Sequence, residues 1–214
     1  MSTNVPSFWR RFERAAWWTI LGVSLLVASQ PLGDWARAWN SQRALESRWQ
    51  QAHVEKQRPN PQVQAASPKK IVRHSDTAAL WPLTRLTCGR MKLDAVVVEG
   101  TDAHSLKEGP GHEVGTSLPG GANCVIAAHR NAYGWWFYRL NELRCGDLIA
   151  LETPDRRYIY SVAATRTVTV SDTSILHPPA QPGADPRLTL YSCTLPKTAN
   201  RLVVTADLLG SEEP

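Results

Sequence analysis

From Leu80 to the end of the chain, short β-rich runs alternate with turn-forming Gly, Pro, Asn and Asp residues, and this pattern constrains the fold most. Regularly spaced short strands with turn signals between them favour a β-barrel or a β-sandwich. A helix is expected in only one place within this region, over residues 133–143. The predicted strands span residues 93–98, 124–128, 147–151, 158–170, 187–193 and 201–208.

A mostly apolar stretch over residues 15–32 follows a basic cluster formed by Arg10, Arg11 and Arg14. Its length of about 18 residues is at the low end for a membrane-spanning helix. We interpret it as a retained signal anchor, with a cleaved signal peptide and a buried soluble helix as the alternatives. The basic cluster predicts a cytoplasmic N-terminus and an extracytoplasmic remainder of the chain.

Two further segments separate this stretch from the β-rich region. Residues 33–57 carry apolar and Gln side chains at spacings of three and four, which predicts a helical stalk. Residues 58–79 combine three prolines with polar residues, which predicts a flexible linker. The chain therefore divides into residues 1–57 (cytoplasmic tip, transmembrane anchor and stalk), the linker, and a β domain over residues 80–214.

Composition and residue spacing exclude several classes of function. The formal net charge of +5 suits an anionic membrane surface. The sequence contains no run of Lys and Arg interleaved with aromatic residues, so nucleic-acid binding is not predicted. The histidines share no ligand-like spacing and no CxxC spacing exists, so the sequence predicts no metal site and no cofactor. Activation by calcium stays open, with Glu108 and Asp172 as scattered acidic candidates.

The chain has four cysteines, and at most one disulfide remains possible if Cys193 is kept as a free thiol. We favour three buried free thiols for the others, which are Cys88, Cys124 and Cys145.

The last two predicted strands bring a cysteine and an arginine together. Residues 187–193 end at Cys193, a short turn region follows, and the next strand begins at Arg201. If the two strands pair antiparallel, these residues lie opposite each other with Cβ atoms roughly 4.5–5.5 Å apart. A nearby cation favours the thiolate, and a guanidinium donates forked hydrogen bonds to a developing oxyanion. An inert core cysteine and a surface arginine are the alternatives.

A third reactive residue stands at the end of another strand. In Pro119–Asn131, an apolar strand delivers His129 to the point where a loop begins, a common location for functional side chains. A histidine there can serve as a general acid toward a leaving amine. A core or capping histidine is the alternative.

These residues resemble the sortases, which are bacterial membrane-anchored cysteine transpeptidases with an eight-stranded β-barrel. The resemblance rests on GGANCVIAAHRN, on LTLYSC and on the downstream Arg201-Leu202-Val203-Val204, and it covers roughly residues 80–209. Within the family, the chain resembles the class D, class E or Gram-negative-type sortases. The sequence departs from the family pattern at Ser192, where a Thr is usual, and at Ala128, where a Gly is frequent.

The resemblance implies roles for individual residues. Cys193 matches the nucleophile, His129 the general acid/base, and Arg201 the oxyanion or substrate-positioning arginine. Ser192, Ala128 and Asn131 would contact the substrate.

The resemblance also implies an activity. The enzyme would cleave a C-terminal sorting motif of secreted proteins through a thioacyl-enzyme. It would then transfer the acyl group to an amine of a cell-wall peptide or of a protein lysine. It would act from the bilayer of a bacterial cell membrane, as a single-pass protein with its catalytic domain on the extracytoplasmic side. The rival hypotheses are a hydrolase that releases the acyl group to water and a non-catalytic, membrane-tethered binding module.

Overall fold

The computed structural model describes residues 7–57, 83–181, 183–196 and 198–213. Within these ranges the chain forms one long helix and a closed barrel of eight strands. The predicted linker over residues 58–79 lies outside the described residues.

The barrel has the strand order β1-β2-β3-β4-β7-β8-β6-β5, and β5 closes it by pairing with β1. Two pairings are parallel, β2 with β3 and β4 with β7, and the other six are antiparallel. The helices are α1 (Ser7–Gln57) and α2 (Ser105–Glu108). The strands are β1 (Thr84–Cys88), β2 (Leu93–Glu99), β3 (Gly111–His112), β4 (Asn123–Ala127), β5 (Leu148–Glu152), β6 (Arg157–Thr169), β7 (Arg187–Cys193) and β8 (Asn200–Glu212).

The core fills the barrel interior with side chains from alternate strand positions. Alternation sends successive side chains to opposite faces of a strand, so a half-buried strand contributes every second residue to the core. The core therefore takes Cys124 and Ile126 from β4, Leu188 and Leu190 from β7, and Leu202, Val204 and Ala206 from β8. This arrangement confirms the predicted closed, mainly β barrel.

The predicted helix over residues 133–143 is wrong. This segment forms turns, with a single 3₁₀ turn at Leu140–Glu142. Tyr133, Gly134 and Trp135 have φ values of 45°, 88° and 56°. A run of left-handed residues cannot continue a right-handed helix, so the aromatic-rich composition was a misleading signal.

The predicted anchor over residues 15–32 falls within α1, and the side chains of residues 25–32 lie outside those described. Among the residues that the structure describes, no helix is long and apolar enough to span a bilayer. The transmembrane part of the predicted architecture is therefore not supported.

The C-terminal half of α1 packs against the outside of the barrel at β2. Ala38 and Leu45 are buried, and Leu45 joins Val96 and Val98 of β2 in a small second core. Gln42 lies between them with its amide aimed at the edge of β2. The predicted helix over residues 33–57 is thus present, and part of it is docked on the barrel.

Gln42 completes the hydrogen bonding of a buried strand residue. Its Oε1 accepts from the Val96 backbone N–H at 2.9 Å, and its Nε2 donates to the Val96 carbonyl at 3.0 Å. The same Nε2 donates to the Glu108 carbonyl at 3.1 Å, which ties α1 to α2. Val96 is fully buried, so no solvent replaces these bonds when the amide is removed.

We expect Gln42→Ala to lower the free energy of unfolding by about 1–3 kcal/mol, because it leaves buried backbone groups without partners. Urea denaturation followed by fluorescence measures the change. Gln51→Ala, an exposed residue of the same helix, is the matched control and should change stability little. Equal stability of the two variants would contradict this account of the docked helix.

Candidate active site

The parallel pairing of β4 with β7 aligns the ends of these two strands. Val125 lies opposite Thr189, and Ala127 lies opposite Tyr191. The Ala128 N–H continues the pairing by donating to the Tyr191 carbonyl at 3.4 Å. Extending this register by two residues sets His129 beside Cys193, on the barrel's outer face.

The antiparallel pairing of β7 with β8 supplies the third side chain. Cys193, the last residue of β7, lies directly opposite Arg201. The opposition of Cys193 and Arg201, predicted from the sequence, is therefore confirmed. Both side chains are half-buried, and one guanidinium nitrogen of Arg201 donates to the Asn200 carbonyl at 3.3 Å. Solvent and a ligand can therefore reach the thiol and the guanidinium.

His129 is positioned by the turn segment that follows it. Its ring lies 5.1 Å from the Tyr133 ring, centroid to centroid, at an interplanar angle of 44°. Its carbonyl accepts a hydrogen bond from the Phe137 N–H at 3.2 Å, and Phe137 is fully buried. The left-handed backbone of Tyr133 turns that aromatic ring back toward the imidazole, which limits where the half-buried His129 side chain can lie.

Two of the predicted substrate contacts, Ser192 and Ala128, are buried and have a structural role. Ser192 is 3% exposed and Ala128 is 5% exposed. The Ser192 hydroxyl donates to the Ala128 carbonyl at 2.7 Å, and the Ala128 methyl group belongs to the core. These residues join β7 to the end of β4 and do not face the outer surface. The third predicted contact, Asn131, is exposed in the turn after His129 and stays a prediction.

Arg130 is a site residue to which the sequence pattern assigned no role. It is 6% exposed, and its guanidinium donates to Asn141 Oδ1 at 2.6 Å and to the carbonyls of Tyr138 and Cys193, each at 3.4 Å. Burial lowers the pKa of this guanidinium. Arg130 thus ties the end of β7 to the segment after His129. The position of Arg130 directly after His129 could have marked it as a candidate site residue. The sequence does not show, however, that its side chain is buried.

A cleft of about 310 Å³ opens beside Arg201 on the outer face. Tyr191 and Glu113 line it, and Tyr191 donates its hydroxyl to Glu113 Oε2 at 2.7 Å. Burial raises the pKa of Tyr191, so its hydroxyl stays protonated into the alkaline range. Arg201 therefore lines a space that can hold part of a ligand, with Cys193 opposite it on β7 and His129 just after the end of the neighbouring β4. Such a set can carry nucleophilic acyl transfer.

The four cysteines differ in their surroundings, and all four are free thiols. Cys88 and Cys124 are buried, and burial raises the pKa of each of them. Cys145 is exposed, contrary to the prediction that it is buried, because it lies in the turn before β5. Cys193 is intermediate in exposure.

Comparison with known proteins relates the barrel to one family. A sequence profile of the sortase domain matches residues 86–209. Sortase SrtE1 of Streptomyces coelicolor is 34% identical over 97 residues, which is 43% of this chain and 28% of that protein. Sortase D of Bacillus subtilis is 28% identical over 122 residues, which is 54% of this chain and 60% of that protein. The chain therefore matches less than two thirds of the length of either relative.

Solved structures show the same likeness. Sortase E from Streptomyces avermitilis superposes with a TM-score of 0.55 at 28% identity, covering 61% of this chain and 89% of that one. Sortase C of Streptococcus pneumoniae superposes with a TM-score of 0.58 at 26% identity, covering 78% of this chain and 88% of that one.

The different burial of the cysteines makes a prediction for the native protein. In mildly alkaline buffer, we expect iodoacetamide to modify Cys145 and Cys193, because the thiolate reacts and a reagent can reach both. Cys88 and Cys124 should remain unmodified until urea unfolds the chain, since their raised pKa values keep them as thiols. Peptide mapping by mass spectrometry measures each site. Modification of Cys124 as fast as Cys193 in the native protein would contradict the site geometry.

Proposed function

Because the chain belongs to the sortase family, whose members are cysteine transpeptidases, we propose that it cleaves a C-terminal sorting motif of secreted proteins and transfers the acyl group to an amine. The observation that carries this proposal is the direct opposition of Cys193 and Arg201 across β7 and β8. His129, delivered by the neighbouring β4, completes the set of groups that acyl transfer needs.

In the first step, the Cys193 sulfur attacks the carbonyl carbon of the scissile peptide bond. Negative charge develops on the carbonyl oxygen, and the Arg201 guanidinium donates hydrogen bonds to it. His129, in its protonated form, gives a proton to the nitrogen as the carbon–nitrogen bond breaks. The products of this step are a thioacyl-enzyme and a free amine, with His129 left neutral.

In the second step, an acceptor amine attacks the thioester carbonyl. Neutral His129 takes a proton from the attacking nitrogen, and Arg201 again stabilises the oxyanion. The carbon–sulfur bond breaks, which returns the Cys193 thiolate and leaves a new amide bond. The acceptor that this proposal requires is an amine of a cell-wall peptide or of a protein lysine.

We place this reaction on the extracytoplasmic side of a bacterial cell membrane, with the chain held there as a single-pass protein. The support is the order of the basic cluster at Arg10, Arg11 and Arg14 and the apolar stretch that follows. Protease added to intact cells, or to spheroplasts of a Gram-negative host, should digest the barrel. Protection of the barrel until the cytoplasmic membrane is broken would overturn this location.

The nucleophile assignment predicts a covalent intermediate. A peptide chosen from a library of C-terminal motifs for its turnover should add an acyl mass to the wild-type protein in intact-protein mass spectrometry. We expect Cys193→Ala to abolish that adduct, because the acceptor sulfur is gone, and Cys145→Ala to retain it. A persistent adduct in Cys193→Ala would refute the assignment.

Product analysis with the same peptide separates transfer from hydrolysis. With added amine, the proposal predicts an amide product that contains the amine, at the expense of the free acid. A free acid that is the sole product at every amine concentration would identify a hydrolase.

The role of Arg201 predicts a loss of turnover from a substitution that conserves charge. A lysine presents a point charge and cannot copy the guanidinium fork, so Arg201→Lys should lower kcat by about 10²-fold. Steady-state kinetics measures the change. Arg187→Lys is the matched control, because Arg187 lies at the opposite end of β7 and bonds to Asp207 at 3.3 Å. Equal kcat values in the two variants would contradict an oxyanion role.

A further inference from the structure

A 17-residue connection, residues 170–186, links β6 to β7, and its first part, residues 170–176, forms one wall of the cleft beside Arg201. Connections of more than about 12–15 residues without regular strands or helices are uncommon, and they are usually functional when ordered. This one contains a short 3₁₀ turn at Thr173–Leu176. The residues of the connection that line the cleft are Val170, Asp172, Thr173, Ile175 and Leu176.

Asn123, the first residue of β4, fastens this connection to the barrel. Its Nδ2 donates to the carbonyls of Ile175 and His177, both at 2.9 Å. Its Oδ1 accepts from the Thr189 hydroxyl at 2.8 Å, which fixes the orientation of the amide. Asn123 is 2% exposed, so these bonds are shielded from water.

The bonds reach the connection at its 3₁₀ turn, where the buried Ile175 side chain also packs. The two carbonyls that Asn123 binds belong to the last turn of the 3₁₀ segment and to the residue after it. At the start of that segment, Asp172 accepts from the Ser174 N–H at 2.9 Å, which organises the turn internally without tying it to the barrel. A shift of the turn would move Ile175 and Leu176, which line the cleft together with Arg201.

We propose that Asn123 is a positioning residue that holds this connection at the spacing from Arg201 at which the cleft accepts the peptide donor. The inference rests on the proposed transpeptidase function and names one determinant of its substrate binding. Asn123 and His129 lie at opposite ends of the β4 segment, and Asn123 pairs in register with Arg187, at the end of β7 remote from Cys193. Its loss therefore alters the cleft wall and leaves the reacting groups in place.

This separation gives a kinetic signature that general destabilisation does not produce. A smaller folded fraction lowers the apparent kcat and leaves KM for the peptide unchanged. A displaced cleft wall removes binding that is equal in the ground state and the transition state, which raises KM and leaves kcat unchanged.

The test measures kcat and KM of the full chain at saturating amine, with the sorting-motif peptide that the wild-type protein turns over fastest. We expect Asn123→Ala to raise KM about tenfold, equivalent to about 1.4 kcal/mol, with kcat within about twofold of wild type. Thr189→Val, which is nearly isosteric and removes only the hydroxyl that orients the amide, should raise KM by a smaller factor. If Asn123→Ala does not fold, the KM of Thr189→Val decides the test.

Gln42→Ala is the matched control, because it also removes a buried amide that binds backbone groups, at a site away from the cleft. It should lose stability with unchanged KM. Wild-type KM in Asn123→Ala, or in Thr189→Val if that is the only variant to fold, would overturn the inference, as would a fall in kcat alone. A wild-type protein that forms no acyl adduct with any library peptide would instead refute the proposed function.

Discussion

The parallel register between β4 and β7 is the constraint on which the rest of the site depends. Because side chains alternate along a strand, a slip of one residue would exchange the faces of every residue on β4. His129 would then turn toward the core, and Ala128 would take its place on the outer face. Both faces of β4 are packed: Cys124, Ile126 and Ala128 belong to the interior core, and Val125 and Ala127 are buried on the other face. A slip would exchange side chains of different size on both faces, so this packing opposes it and keeps His129 in the register that leads toward Cys193.

The sequence predicted the parts of the site that depend on local geometry. Cys193 and Arg201 belong to strands that are neighbours in sequence and are joined by a short turn, so antiparallel pairing follows and opposes the two residues. The strand that carries His129 was also predicted, but the sequence pattern did not reveal which strand it pairs with. β4 is parallel to β7 and about sixty residues away from it in the chain. Such a pairing depends on the closure of the whole barrel, which alternation within single strands does not specify.

The sequence failed where backbone conformation or side-chain direction decides the outcome. Residues 133–143 have the composition of a helix, but three left-handed residues in succession stop it from forming. Gln42, Asn123 and Arg130 are polar residues whose usual place is the surface. The structure buries all three, and each one binds backbone carbonyl groups that the local strands and helices leave without partners. A polar residue in a sequence pattern carries no sign of such a distant partner.

These buried polar groups also explain why the reacting side chains can be half-exposed and still be held in place. Ser192 binds the Ala128 carbonyl, and Arg130 binds the Cys193 carbonyl. Both bonds act on backbone atoms and hold the chain on either side of Cys193 and His129 in place. The Tyr133 ring against the imidazole and the bond from Arg201 to the Asn200 carbonyl position two of the side chains in addition. A candidate site on the outer face of a barrel thus gains much of its rigidity from the buried residues beneath it.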